Sequence, residues 1–145
     1  MIIEYQFIVL PLIAVICAQL LKLAINGIRG KFSWKDLVSY GGMPSSHTAF
    51  VTALAAIVGY FEGWNSPIFA IAFIFGIIVV RDAGGYRRMM GKQAKTLNSI
   101  IQQIPAELSC QFPHLDERIG HTPKQLFFGS LIGLLTIVIY ILIIS

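Results

Sequence analysis

Charged side chains are scarce in this sequence: Asp, Glu, Lys and Arg make up 12% of its 145 residues. Soluble domains carry about 25% charged residues. Here 56% of the residues are hydrophobic and the mean hydropathy is +0.74. The shortage of charge therefore excludes a soluble globular domain and predicts an integral membrane protein. We expect a single membrane domain across residues 1–145, because no internal repeat or low-complexity tract divides the chain.

Cysteine is also scarce, with two residues in the chain. Cys17 lies within an apolar run and Cys110 in a polar stretch, so nothing in the sequence indicates a disulfide framework. Close Cys-x-x-Cys or His-x-x-x-His spacings, which are typical of zinc sites, are absent as well. We therefore expect neither a disulfide nor a metal cofactor.

Four apolar runs predict four transmembrane helices. The runs at about 7–25 and 124–144 are each long enough to cross a hydrocarbon core of about 30 Å at about 1.5 Å per residue. The runs at about 46–61 and 66–82 are shorter, and they cross only if polar residues at their ends are included. We therefore expect an all-α integral membrane protein in which the two shorter spans have functional ends.

Basic residues are missing from the predicted connection between the second and third spans, and from the residues before the first span. All eleven Lys and Arg residues fall either at 22–35, around the end of the first span and after it, or at 81–124, from the end of the third span to the start of the fourth. Cytoplasmic loops retain positive charge during insertion, so these two stretches should be cytoplasmic and both termini should lie outside. The net charge of +4 would also fit a nucleic-acid partner. However, the basic residues flank apolar spans, so we expect membrane lipid and no nucleic acid as their partner.

A helix of another kind is predicted between the third and fourth spans. Apolar residues recur there at alternating spacings of four and three, with the basic residues largely on the other face. The apolar stripe consists of Met90, Ala94, Leu97, Ile101 and Ile104. We expect an amphipathic helix that lies on the cytoplasmic membrane surface or beneath the bundle and ends at Pro105.

Two short motifs that contain histidine lie directly before apolar helices. Gly41-Gly42-Met43-Pro44-Ser45-Ser46-His47 precedes the second span, and Gly120-His121-Thr122-Pro123 precedes the fourth. A helix N-terminus presents unpaired backbone amides and a positive dipole end, which together bind anions. We therefore expect the two helix ends to share one phosphate-like anion. Helix capping by Ser45, Ser46 and Thr122 is the alternative that needs no ligand.

The order of these motifs resembles the type 2 phosphatidic acid phosphatase and vanadium-dependent haloperoxidase superfamily. Pro44-Ser45-Ser46-His47 is similar to its Pro-Ser-Gly-His motif, and the resemblance is closest to a short, divergent membrane branch. That branch also has an Asp-Ala…Arg-Arg segment, here at 82–88, followed by Gly-His-Thr-Pro. Two departures stand out, because Gln125 replaces an expected aspartate and Leu115 an expected arginine.

The resemblance implies roles for individual residues. His121 would be a nucleophile that forms a phospho-histidine, and His47 would protonate the leaving oxygen. Asp82 is our candidate for the missing carboxylate beside His121, from its position at the end of the third span. The predicted phosphate-binding residues are Lys22, Arg29, Ser45, Ser46, Arg87 and Arg88. Lys22 and Arg29 match the spacing of a Lys-x6-Arg-Pro element, although Gly30 replaces its proline.

Simpler interpretations of the charged residues stay open. Lys22 and Arg29 would also serve as cytoplasmic anchors of a span, and Arg87 and Arg88 as contacts to lipid headgroups. Asp82 would equally form a salt bridge with a neighbouring arginine.

We therefore expect a multi-pass cell-membrane phosphatase, active without a cofactor, that hydrolyses a lipid phosphate or diphosphate at the cytoplasmic face. The alternative is a non-catalytic protein that binds or transports a lipid phosphate, which Gln125 and Leu115 favour. In the fourth span, Gly129-x-x-x-Gly133 is a small-x-x-x-small pattern of the kind that allows close helix contact. It makes a homodimer a candidate assembly.

Overall fold

The structure is a computed structural model that describes residues 5–28, 30 and 42–145. These residues form helices, turns and loops without a strand, as the sequence predicts. The helices are α1 (Gln6–Ile28), α2 (Ser46–Glu62), α3 (Pro67–Gly84), α4 (Tyr86–Ile101), α5 (Ala106–Ser109) and α6 (Pro123–Ile144).

Three helical segments among the described residues are long and apolar enough to cross a membrane. They are Gln6–Ile28, Pro67–Ile101 and Pro123–Ile144. The second joins α3 to α4, which Gly85 alone separates. The helix α2 has 17 residues and packs against α1, α3 and α6. The membrane character is thus established, while the count of four spans and the outward termini stay predictions.

Polar caps fix where α2 and α6 begin. The Ser45 hydroxyl accepts hydrogen bonds from the Thr48 backbone at 3.4 Å and from its hydroxyl at 3.0 Å. At α6, the Thr122 hydroxyl accepts from the Gln125 backbone at 3.4 Å, and the Thr122 backbone donates to Gln125 Oε1 at 2.7 Å. This second arrangement is a capping box, which satisfies two backbone donors that would otherwise lack partners.

Small residues hold α6 against α2. A Cβ atom added to Gly133 would lie 2.5 Å from the backbone oxygen of Ala49, and one added to Gly129 would overlap the backbone oxygen of Ser45. The two helices therefore meet backbone to backbone. The close contact that the glycine pattern predicts is made inside the chain, and a homodimer stays a prediction.

The segment after α4 returns along that helix to the bundle. Asn98 donates to the Leu115 backbone oxygen at 2.9 Å and accepts from its N–H at 3.0 Å. Further along, a Cβ at Gly91 would lie 2.6 Å from the Ile119 oxygen, so the connector passes directly over this glycine. The predicted helix is present but ends at Ile101, ahead of Pro105. Its location at the membrane surface stays a prediction.

Candidate functional site

The two histidine motifs meet at one end of the bundle. The Ser45 N–H donates to the Gln125 backbone oxygen at 3.1 Å, which ties the start of α2 to the first turn of α6. The close contact at Gly129 holds the next turns of the two helices together. The N-termini of α2 and α6 therefore lie side by side, and both dipoles present their positive ends to the same region. Such a region favours an anion.

His121 is buried at this end, with 6% of its surface exposed. Its backbone N–H donates to the Ala83 oxygen at 2.9 Å, which fixes the residue against the end of α3. Gly120, before it, has a φ of 90°, and a Cβ there would lie 2.6 Å from the carbonyl carbon of Arg87. Only glycine therefore fits this turn. Among the described residues, Nδ1 of His121 has no hydrogen-bond partner.

The surroundings of His121 favour its neutral form. Burial lowers the pKa of the imidazole below its ordinary value of 6.5, and the charges of His47 and Lys22 lower it further. Contacts with the Gln125 side chain and the Gly42 backbone oppose this shift, because they stabilise the protonated ring. The lowered pKa leaves the imidazole neutral at pH 7, with a nitrogen lone pair available for attack.

His47 differs from His121 in its access to solvent. It lies in the first turn of α2, and its side chain is exposed. The charged groups that act on it are Arg87, Asp82 and Lys22. His47 is therefore the histidine that a group approaching from outside the bundle can contact directly.

Lys22 reaches the site from α1. It is buried, with 4% of its surface exposed. Its methylene chain passes against Gly42, which has a φ of 111° and where a Cβ would lie 2.7 Å from Cε of the lysine. The lysine charge acts on both histidines. An ionisable side chain inside a membrane bundle is itself a sign of a functional site.

Asp82 lies at the end of α3 and pairs with Arg87. Nε of the arginine is 2.6 Å from Oδ2 of the aspartate, and both side chains are partly exposed. The Asp82 charge acts on His47, whereas the polar side chain beside His121 is that of Gln125. The structure therefore brings Asp82 to Arg87 and His47, and does not bring it to His121.

The other predicted phosphate ligands divide into three groups. Ser45 is fully buried and its hydroxyl serves the cap of α2, while Ser46 is half-buried and accepts a hydrogen bond from Gln19 at 3.5 Å. Arg88 lines a cleft beside His121. Arg29 lies outside the described residues. Gln19 was missed by the sequence analysis, although it lies three residues before Lys22 and hence on the same face of α1.

The cleft beside His121 is strongly cationic and has a volume of about 390 Å³. From α4 it is lined by Arg88, Lys92 and Lys95, and from the connector by Glu117 and Arg118. The apolar periodicity of this segment predicts only that the two lysines lie on the polar face of the helix. Their spacing of four and seven residues from Arg88 places all three on one face, which is the signal that identifies them.

A metal centre has no visible ligand set in the part of the chain that the structure describes. There, no three His, Cys, Asp or Glu side chains come close enough together to hold a metal ion. The expected independence from metals stays a prediction for experiment.

Comparison with known proteins adds a family relationship. Residues 3–136 match the family described as the divergent PAP2 family. The chain is also similar to YuiD, an uncharacterized membrane protein of Bacillus subtilis (strain 168), with 40% identity over 136 residues and 86% of each chain covered. No solved structure matches the chain.

Proposed function

This chain belongs to the divergent PAP2 family, and we propose that it is a membrane phosphatase that hydrolyses a lipid phosphate or diphosphate. One observation carries the proposal. A buried neutral histidine, an exposed histidine and a buried lysine meet where the positive ends of two helices lie side by side. This combination supplies a nucleophile, a proton donor and an anion site in one place.

The first step is a displacement at phosphorus by His121. A ring nitrogen uses its lone pair to form a P–N bond, and the bond between phosphorus and the lipid oxygen breaks. His47, protonated when the phosphate binds, donates its proton to that leaving oxygen. The products of this step are a lipid alcohol, or a lipid monophosphate from a diphosphate, and a phospho-histidine. Division of the hydrolysis into two displacements replaces one high barrier by two lower barriers.

The second step returns the enzyme to its starting state. A water molecule attacks the phosphorus, and His47, now neutral, accepts a proton from it. The P–N bond breaks, its electron pair returns to the His121 ring, and inorganic phosphate is released. In both steps Lys22, Arg87, Arg88 and the amides at the start of α2 stabilise the negative oxygens of the transition state.

Gln125 changes how the phosphorylated ring is stabilised. In relatives that the chain resembles, a carboxylate offsets the positive charge of the nucleophilic histidine. Here the Gln125 side chain contacts His121, and Oε1 of that side chain is also held by the Thr122 N–H. The glutamine orients the imidazole by hydrogen bonding, and the negative oxygens of the transferred phosphoryl group offset the charge.

The proposed site lies on the cytoplasmic side of the cell membrane. The cations Lys22, Arg87, Arg88, Lys92 and Lys95 all belong to the stretches that the positive-inside rule assigns to the cytoplasmic side. The helix α2 would also cross the membrane, which gives four spans with the three longer helical segments. Its 17 residues reach about 25 Å at about 1.5 Å per residue, close to the thickness of a hydrocarbon core.

A second candidate function is the binding or transport of a lipid phosphate without turnover. The observation that favours it is the ion pair between Asp82 and Arg87. That pair engages the aspartate we expected beside His121. The side chain that contacts His121 is instead that of Gln125, which is neutral. A protein of this kind would keep the anion site and lack the chemical step.

Phosphate release tests the two functions against each other. Detergent-purified protein in excess chelator is assayed with a panel of lipid phosphates and diphosphates, beside His121→Ala and His47→Ala. The phosphatase predicts release that survives chelation, falls at least about 10²-fold in both variants and is inhibited by vanadate well below ordinary phosphate concentrations. Binding of the lipids without release from any of them would overturn the enzyme and favour the binding protein.

A further inference from the structure

An apolar groove lies between α2 and α3, with a volume of about 360 Å³. Gly76 opens it, because a glycine leaves the space of a side chain empty on the α3 wall. The atoms nearest to a Cβ added to Gly76 would be those of Val51, at an ordinary contact distance of 3.8 Å. A side chain as small as a methyl group would therefore fit at Gly76 without displacing Val51.

The α2 wall of the groove begins one turn from His47. Val51 and Ala55 line the groove, and they follow His47 by four and eight residues. Positions four apart in a helix lie one above the other on the same face. The groove is therefore a direct continuation of the helix face that carries the exposed histidine.

The α3 wall leads to the same place. It runs from Phe73 to Val80 and ends at Arg81. The next residue is Asp82, which pairs with Arg87, and both of these charges act on His47. The apolar groove thus has the cation Arg81 at one end, and His47 lies one helical turn before Val51 at the same end.

We propose that the groove holds the hydrocarbon chain of the substrate lipid, with Arg81 against its anionic headgroup. This rests on the proposed function, in which His47 protonates the oxygen that joins phosphorus to the lipid. The chain leaves the reaction centre from that oxygen, so it must begin beside His47, where the groove begins. From Phe73 to Arg81 the α3 wall extends for roughly 12 Å at about 1.5 Å per residue, which covers the part of a chain nearest to the headgroup.

The groove acts by alignment. A bilayer is as apolar as the groove, so transfer of a chain between them gains no hydrophobic free energy. Packing of the chain instead holds the attached phosphate in register with both histidines, and misplacement of reacting atoms by about 1 Å is enough to lower a rate by roughly 10²-fold. The groove should therefore affect turnover of long-chain substrates and leave short ones unchanged.

Photolabelling tests occupancy without turnover. The purified protein is labelled with a phosphatidate that carries a photoreactive group in its chain, and labelled peptides are mapped by mass spectrometry. We expect label at 51–55 and 73–81 that excess phosphatidate removes and excess phosphatidylcholine does not. Label spread over the outward faces of α1 and α6, with equal competition by both lipids, would show bulk lipid only and overturn the proposal.

A filled groove tests its role in turnover. Gly76→Leu places a side chain in the groove, and Ile78→Phe enlarges an exposed α3 side chain outside it. We expect Gly76→Leu to lower kcat/KM about 10-fold for a long-chain phosphatidate and to leave hydrolysis of a short, soluble phosphate ester unchanged. Ile78→Phe should change neither.

The outcomes separate this proposal from the enzymatic function. An equal loss on both substrates in Gly76→Leu, or no loss on either, would overturn the groove as a chain site while the phosphatase stands. Phosphate-dependent label in the groove without any release would overturn the phosphatase and leave the groove as a lipid site.

Discussion

His47 and His121 occupy nearly equivalent places in two helices and yet have opposite surroundings. Each lies within two residues of a hydroxyl that caps its helix, Ser45 for α2 and Thr122 for α6. His121 precedes its cap, bonds through its backbone to the end of α3 and is buried. His47 follows its cap in the first helical turn and is exposed.

The side of the cap on which a histidine lies decides what it can do. A residue before the cap belongs to the incoming chain, which here packs against α3 and removes the ring from water. A residue after the cap belongs to the helix, whose geometry directs it away from the axis. Two histidine motifs at helix starts therefore differ: His121 is a buried, neutral imidazole, and His47 is an imidazole exposed to solvent.

The largest expected effect is that of removing the buried ring. His121→Asn should lower kcat at least about 10³-fold, because it deletes the proposed nucleophile. His114→Asn is the matched control, since that histidine is exposed in the connector and lies away from the site motifs. Phosphate release from a lipid phosphate is the measurement. Activity within tenfold of the unmodified protein would exclude His121 as the nucleophile.

A smaller effect, and one that depends on the substrate, is expected at the exposed ring. His47→Asn should lower kcat about 10²-fold with a lipid phosphate, as expected for the loss of a general acid. An aryl phosphate has a leaving group that needs no proton, so the variant should recover the first step with it, seen as rapid release of the aryl alcohol, while His47 is still missing from the second step. The His121 variant should not recover. Equal recovery of both variants would contradict the assignment of different roles to His47 and His121.

The contact that holds both histidines in place comes next in size. Gly133→Ala puts a Cβ 2.5 Å from the Ala49 oxygen, which should lower the free energy of unfolding by about 1–3 kcal/mol through overpacking. Gly27→Ala is the control, because that helical glycine has open space around it. Thermal unfolding in detergent measures both. Equal Tm values for the two variants would contradict the backbone contact between α2 and α6.

The smallest effect is a shift in pH dependence. The pKa of His121 lies below 6.5, so the acidic limb of kcat/KM, where the nucleophile becomes protonated, should have its midpoint below pH 6.5. Gln125→Glu keeps a residue suited to the capping box and adds a negative charge beside the ring. It stabilises the protonated form, raises the pKa of His121 and moves the limb to higher pH. Gln103→Glu, in an exposed turn, should not move it, and an unmoved limb in Gln125→Glu would contradict the contact.

The helices could be predicted because their signals are local. Apolar runs mark α1, α3 and α6, and the capping residues Ser45 and Thr122 mark the starts of α2 and α6 within one residue. The meeting of the two motifs was also predictable, since each lies at the start of a helix on the same expected side of the membrane. Hydropathy and capping depend on residues that are close together in the chain, so both can be recognised in a single sequence.

The contacts made by individual charged residues could not be predicted in this way. Lys22 is buried partly by Gly42, which lies twenty residues later in the chain. Whether Asp82 pairs with Arg87 or lies beside His121 depends on the angle at which α3 meets α4. Spacing along the chain does not fix these distances. The cationic face of α4 is different, because the periodicity of Arg88, Lys92 and Lys95 is visible in the sequence. It predicts phosphate binding by Arg88, and it could have extended that prediction to the two lysines.

The hydrogen bond from Ser45 to the Gln125 oxygen also sets when the site exists during biosynthesis. The two residues are 80 positions apart, and a ribosome that adds about 5–20 residues per second needs roughly 4–16 s to travel between them. For nearly all of that interval the nascent chain contains His47, which is exposed in the folded protein, and lacks His121, which is buried. In a newly inserted protein the proposed site is therefore complete only when the last helix docks, and a truncated chain in the membrane carries half of that site.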